Sequence, residues 1–252
     1  MPIRLPALPA DPTAAFPPPG TALREPDGLL AMGGDLSPAR LLNAYAQGVF
    51  PWYAEGQPLL WWSPDPRMVF RTGRIRLSSR FRRSLRRCEW TVTADTCFRD
   101  VITACADAPR AGQPGTWITS EMQAAYTELH RLGHAHSIEV RAGARLVGGL
   151  YGIAIGHMFF GESMVSLASG GSKVAIAALA HRLEGWGFPL IDAQVENPHL
   201  LSLGAESWPR ERFLQTVHEL CARPGMTGCW SNAFGQLHAA DLATADGNRR
   251  GG

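Results

Sequence analysis

Ser137-Ile-Glu-Val-Arg141, Arg145-Leu-Val-Gly-Gly-Leu-Tyr-Gly-Ile-Ala-Ile155 and Met158-Phe-Phe-Gly-Glu-Ser-Met-Val165 are three strand-like runs separated by three and then two residues, with Gly143 and Gly156 in the gaps. Gaps this short, with glycine available for a tight turn, join neighbouring antiparallel strands. Ser169-Gly-Gly-Ser-Lys173 then opens a helix whose face is Val174, Ala177, Ala178 and Leu183, and Phe188–Val195 reads as a further strand. Hairpin-linked strands followed by a helix and a returning strand predict an α+β fold built on a mixed sheet.

Upstream, Ser37 and Pro38 suit the cap and first position of a helix with the face Leu41, Leu42 and Tyr45, which Gly48 stops. Residues 1–28 are proline-rich and read as an extended arm. Val49 to Arg67, with Trp52, Trp61, Trp62 and four prolines, reads as irregular. Cys97–Ala108 reads as a helix, and Ser120 with Gln123 as a capping box opening another that ends at Gly133. A last helix is expected from Pro209 to Cys221, and a frayed tail after Ala239. The expected division is a small N-terminal domain over 1–69, a mixed-sheet domain over 70–240 and a disordered tail over 241–252.

The chain has 252 residues, 45% hydrophobic and 18% charged, with a net charge of +2. Such a composition supports a buried core and excludes disorder as the main state. No apolar run approaches the ~18–20 residues of a membrane helix, and the N-terminus lacks a secretory pattern. Five cysteines without a CxxC pair argue for reduced thiols in a cytoplasmic protein and against a structural zinc site. His130, His134 and His136 lack the glutamate of a zinc-binding HExxH helix, so no metal is expected.

Several constellations bear on chemistry. Period two places Leu190, Asp192 and Gln194 on one strand face, and Glu162 interrupts another apolar strand. Buried carboxylates on neighbouring strands would form an anionic pocket suited to an amine, or else a satisfied polar network. Glycines before Ser172 and Lys173 suit either an anion nest or a simple capped turn. From Arg67 to Arg87 there are nine arginines and no acidic residue, with tryptophans just before them. Basic charge beside aromatic faces points to phosphates and unpaired bases.

Gly28-Leu-Leu-Ala-Met-Gly-Gly-Asp-Leu-Ser-Pro38, Gly48-Val-Phe-Pro-Trp52, Leu60-Trp-Trp-Ser-Pro-Asp-Pro-Arg67, Gly115-Thr-Trp-Ile118, Gly133-His-Ala-His-Ser-Ile-Glu139, Gly161-Glu-Ser-Met164 and Leu190-Ile-Asp-Ala-Gln194 occur in this order. The set closely resembles the bacterial leucyl/phenylalanyl-tRNA–protein transferases over about residues 16–215. The resemblance implies a small N-terminal domain followed by a GNAT-like (acyl-CoA N-acyltransferase-like) domain. It implies transfer of leucine or phenylalanine, and less readily methionine, from aminoacyl-tRNA to proteins beginning with arginine or lysine, which marks them for degradation. No metal or coenzyme is implied, and the chain is expected to be a monomer.

By the same matching, Asp192 attracts the acceptor ammonium and helps remove its proton, Gln194 orients the amine, and Glu162 stabilises the cationic end. Leu150, Phe159, Met164, Ile176 and Ile191 match an aminoacyl pocket. Trp52 and Trp117 would frame the 3′-terminal adenosine, with Tyr126 nearby. Charge placement assigns Arg80, Arg82, Arg83, Arg86 and Arg87 to the tRNA backbone. Two departures stand out. Val165 replaces a usual phenylalanine and is expected to reshape the pocket, and Gly171 replaces a common alanine and is expected only to loosen a helix start. Two alternatives remain: an acyl-CoA-dependent acyltransferase with a pyrophosphate cradle at Ser169–Lys173, and an RNA-binding module without catalysis.

Overall fold

The computed structural model describes residues 5–109 and 116–244. β1 (Leu29–Met32), β2 (Phe50–Pro51) and β3 (Leu60–Trp62) form a small antiparallel sheet in the order β1-β3-β2. The stretch from Val49 to Arg67 is therefore not wholly irregular. Its strands are two and three residues long, too short for alternation to show beside so many prolines. Between β1 and β2 lies α1 (Pro38–Ala46), capped as expected by Ser37, whose hydroxyl accepts from the Arg40 amide. The arm docks along β1: Leu8 N–H donates to Met32 O, Met32 N–H to Pro6 O, and Phe16 meets Trp61 edge-on.

The main sheet holds eight strands: β4 (Arg67–Arg71), β5 (Thr91–Ala94), β6 (Ala135–Ala142), β7 (Arg145–Ile155), β8 (Met158–Ser166), β9 (Leu190–Gln194), β10 (Glu206–Trp208) and β11 (Leu237–His238). Their order is β10-β4-β9-β8-β7-β6-β5-β11, and every neighbouring pair is antiparallel except β8 and β9. The fold is thus α+β on a mixed sheet. β4 straddles the expected domain border after residue 69.

Strand alternation sends Leu190, Phe160 and Ile153 into one core and their neighbours Ile191, Phe159 and Ala154 into the other. The first core is covered by α1, α3 (Phe98–Asp107), α4 (Ser120–Arg131) and α7 (Arg210–Cys221). The second is covered by α2 (Ser79–Leu85), α5 (Gly171–Gly185) and α8 (Ser231–Phe234). The short α6 (Pro198–Ser202) follows β9.

Two local expectations shift. α4 is capped by Thr119, whose hydroxyl accepts from Met122 N–H at 3.2 Å, so Ser120 is already helical. The chain after Ala239 does not fray at once: Ala239–Ala243 forms a 3₁₀ turn that buries Leu242 and Ala243 in the second core. Residues 245–252 of the expected tail lie outside the described residues.

Candidate active site

β8 and β9 pair at Met158–Leu190, Phe159–Ile191 and Phe160–Asp192, and the ladder then ends although both strands continue. A cavity of about 320 Å³ lies where they part, lined by Gly161, Glu162, Ser163 and Met164 from one strand and by Ile191, Asp192, Ala193 and Gln194 from the other. It sits near the small end of the ~300–1,000 Å³ range of small-molecule sites. Leu150, Phe159, Met164, Ile176 and Ile191 all face it, joined by Phe70, Leu179 and Leu200. These side chains come from strand faces, from the inner side of α5 and, for Leu200, from α6, so the same patterning that buries the second core leaves an apolar-walled hole at its edge.

The polar side of the cavity is a closed network. Glu162 accepts from the Tyr45 hydroxyl at 2.7 Å, the Tyr126 hydroxyl at 2.9 Å and the Gln194 carboxamide at 2.8 Å. The two tyrosine hydroxyls also lie in contact with each other, and since each has one proton, either can donate to Glu162 or to its neighbour but not to both. Burial lifts the Glu162 carboxyl to about 7, against the three hydrogen bonds, which favour its ionised form, and with the Asp192 charge adding to the rise. Burial, and then the Glu162 charge, hold both tyrosines well above their ordinary value, so they remain donors.

Asp192 is fully buried and meets Arg67 through two contacts, Nε to Oδ1 at 2.8 Å and Nη2 to Oδ2 at 2.6 Å. Its Oδ1 also accepts the backbone N–H of Gln194 at 2.9 Å. Both carboxylate oxygens therefore already face a guanidinium, while Asp192 still lines the cavity. Gln194 itself has φ +61°, a left-handed conformation unusual for a side chain of its size. It follows a bulge: Val69 pairs with Asp192 and Met68 with Gln194, which leaves Ala193 as the extra residue.

The remaining expected residues divide. Trp117 lines the cavity. Trp52 does not; it packs against Trp62 at the small sheet, with ring centroids 5.4 Å apart. Tyr126 cannot offer a face to a base, since it is wholly buried beneath Glu162. Arg80, Arg83, Arg86 and Arg87 are exposed on and just after α2, while Arg82 is half-buried with its Nε on Leu77 O. The histidines serve packing: His130 stacks on Phe98, and His136 stacks on Trp230 and bonds Asp95 at 2.9 Å. Among the described residues there is no cluster of three metal-binding side chains, and no helix is long and apolar enough to cross a membrane.

Comparison with known proteins is decisive. Residues 69–218 match the family model of leucyl/phenylalanyl-tRNA protein transferase, and residues 34–65 match the model of its N-terminal domain. A leucyl/phenylalanyl-tRNA–protein transferase of Xanthomonas axonopodis pv. citri (strain 306) is 67% identical over 94% of this chain and 96% of its own. One from Xanthomonas euvesicatoria pv. vesicatoria (strain 85-10) is 69% identical over 91% and 92%. The chain belongs to the leucyl/phenylalanyl-tRNA protein transferase family. Among solved structures, a functionally unknown conserved protein from Staphylococcus epidermidis ATCC 12228 reaches a TM-score of 0.40 at 7% identity, over 72% of this chain and 68% of that one. A likeness of that size carries no fold argument.

In this transferase both departures from the family strings acquire a place. Val165 lies in the first core, away from the cavity, so it does not reshape the pocket as expected. Gly171 does more than loosen a helix start. A Cβ there would stand 2.2 Å from Val147 O, so the glycine lets α5 approach β7. Gly170, at φ +91°, packs under the Phe81 ring. Packing thus accounts for both glycines of the turn that the acyl-CoA alternative would use.

Sequence reasoning misses Tyr45, which reads only as part of an apolar helix face, and Arg67, which counts with the phosphate-binding arginines. A buried tyrosine hydroxyl needs a partner, and that is the available signal for Tyr45. Arg67 gives none locally, since its partner lies 125 residues away.

Proposed function

We propose that this aminoacyltransferase moves leucine or phenylalanine, and less readily methionine, from the 3′-terminal adenosine of tRNA to the α-amine of proteins beginning with arginine or lysine. One observation carries the proposal: an apolar-walled cavity of about 320 Å³ opens onto a carboxylate held near neutrality. Leu150, Phe159, Met164, Ile176 and Ile191 hold the donor side chain, and the flexible Met164 adapts to guests of different shape. The reacting ester then lies beside Glu162 and Gln194.

The donor ester is already activated, so alignment and proton management remain. A free α-ammonium has a pKa of about 7.7–8.0, close enough to Glu162 for near-neutral proton exchange. Glu162 takes the proton, the amine nitrogen attacks the carbonyl carbon, the new C–N bond forms and the ester C–O bond breaks. That proton passes to the departing ribose oxygen, and the second proton, shed by the nitrogen as the amide forms, is taken by Glu162 and released to solvent. Gln194 orients the amine, and Asp192 acts behind it rather than on the substrate. No cofactor enters these steps.

Trp117 at the cavity, with Trp52 on the N-terminal side, frames the adenosine, and the exposed arginines of the α2 region hold the acceptor stem. The parting of parallel β8 and β9 supports a GNAT-like reading of residues 70–240, with 1–69 as the smaller N-terminal domain. A tRNA donor suits a monomer working in the cytoplasm. The test is incubation of labelled Phe-tRNA with an Arg-initiated protein. Label on that protein supports the proposal; tRNA binding without transfer of label overturns it.

A further inference from the structure

We propose that Arg67 is a positioning residue for the transfer: it locks Asp192 so that Asp192 holds the Gln194 turn, and with it the carboxamide, against Glu162. The proposal rests on the reading of this cavity as the transfer site. Every link is a contact. The Arg67 fork meets both Asp192 oxygens at 2.8 and 2.6 Å. Asp192 Oδ1 accepts the Gln194 amide at 2.9 Å, and the Gln194 side chain donates to Glu162 Oε1 at 2.8 Å.

The middle link is the one that needs holding. Glutamine at φ +61° is disfavoured, and such conformations persist only where surrounding contacts impose them. The side chain that bonds the Gln194 amide is Asp192. A carboxylate free to turn about its own χ angles would not hold that bond at one angle. Arg67 removes the freedom, because a planar guanidinium fixes the plane of the carboxylate it faces.

Arg67 is itself held from three sides. Phe50 and Phe213 sandwich its guanidinium, with ring centroids 4.7 and 4.6 Å away, and Nη1 donates to Gly48 O at 3.1 Å. Gly48 lies between α1 and β2, and a Cβ there would stand 2.4 Å from Leu214 on α7. The N-terminal sheet, α7 and the end of β9 therefore converge on one side chain. Such an arrangement passes the seating of the N-terminal region on to a glutamine that touches the reacting end of the cavity.

A double-mutant cycle on the full chain tests this, reading single-turnover transfer from Phe-tRNA to an Arg-initiated peptide at saturating substrates. Arg67→Lys keeps a cation beside Asp192 but removes the fork. In the parent background it is expected to slow transfer on the order of 10–100-fold, as a small misplacement of a reacting group does, with KM for both substrates within about twofold. In a Gln194→Ala background the same change is expected to slow transfer by no more than about twofold, because the group it positions is gone. Equal slowing in both backgrounds, or an Arg67→Lys rate within about twofold of the parent, overturns the proposal. If Arg67→Lys fails to give a folded chain by its thermal transition, Asp192→Asn paired with Gln194→Ala reads the same link with the same two outcomes. Glu162→Gln measured alongside separates the two readings. If it keeps the parental rate, Glu162 is not the proton acceptor, while the coupling between Arg67 and Gln194 stands or falls on the cycle alone.

Discussion

The Gln194 carboxamide reaches Glu162 Oε1 at 2.8 Å from a backbone held at φ +61°. A donor aimed at one carboxylate oxygen leaves the other oriented by Tyr126, so Glu162 presents a fixed face to the cavity. Its carboxyl is raised to about 7, chiefly by burial, and it must be ionised to accept a proton. Transfer by the parent chain should therefore fall as pH drops through about 7, and Glu162→Gln should leave only the acid limb of the acceptor amine, at about 7.7–8.0, and slow transfer ~10²–10⁴-fold. Single-turnover rates from pH 5.5 to 9 check this.

Tyr45 moves the same limb. Its hydroxyl bond favours the ionised form of Glu162, so Tyr45→Phe should raise the Glu162 pKa further. The expected profile loses activity at pH 7 and recovers it at higher pH, with the acid limb displaced upward. An unmoved limb would separate the tyrosine from proton transfer.

Ile176 projects from α5 into the cavity. Ile176→Phe should narrow it at the deep apolar wall and reduce kcat/KM for Phe-tRNA more than for Leu-tRNA. A difference of about tenfold is expected, from the roughly 1–3 kcal/mol attached to small changes of side-chain volume in a pocket. Competition between the two charged tRNAs for one acceptor peptide reads the ratio directly, and equal losses would place the donor side chain elsewhere.

Arg80, Arg83 and Arg87 are exposed in a stretch without acidic residues. Replacing all three by alanine should weaken tRNA binding and reduce the slope of log K against log salt by about 2–3, at ~0.7–0.9 for each phosphate no longer neutralised. Binding titrations at several salt concentrations measure it; an unchanged slope would remove these arginines from the tRNA path.

Much of this architecture is legible locally. The strands from Ala135 to Ser166 stand out because their apolar content and glycine turns are properties of short windows. The pocket walls follow from matched strings, and Leu150, Phe159 and Ile191 do line one cavity although they sit on three different strands. What is not legible is long-range pairing. Arg67 reads as one more member of a basic run, because charge placement along the chain cannot show that Asp192 is folded against it. Tyr126 is expected near the adenosine by matching alone, which does not show that it is buried with its hydroxyl on Glu162. The proposed roles of the two acids differ from those matched by string: Asp192 has a guanidinium on both oxygens, whereas Glu162 has only neutral donors and full burial, which raises its carboxyl.

The most direct measurement is a crystal structure with a non-hydrolysable phenylalanyl-adenosine amide. The phenyl ring is expected between Phe159, Met164, Ile176 and Ile191, with the carbonyl carbon beside Glu162 and Gln194 and the Arg67–Asp192 pair intact. An analogue seated in another cleft, or a ring outside this cavity with Glu162 remote from the carbonyl, would contradict the central claim.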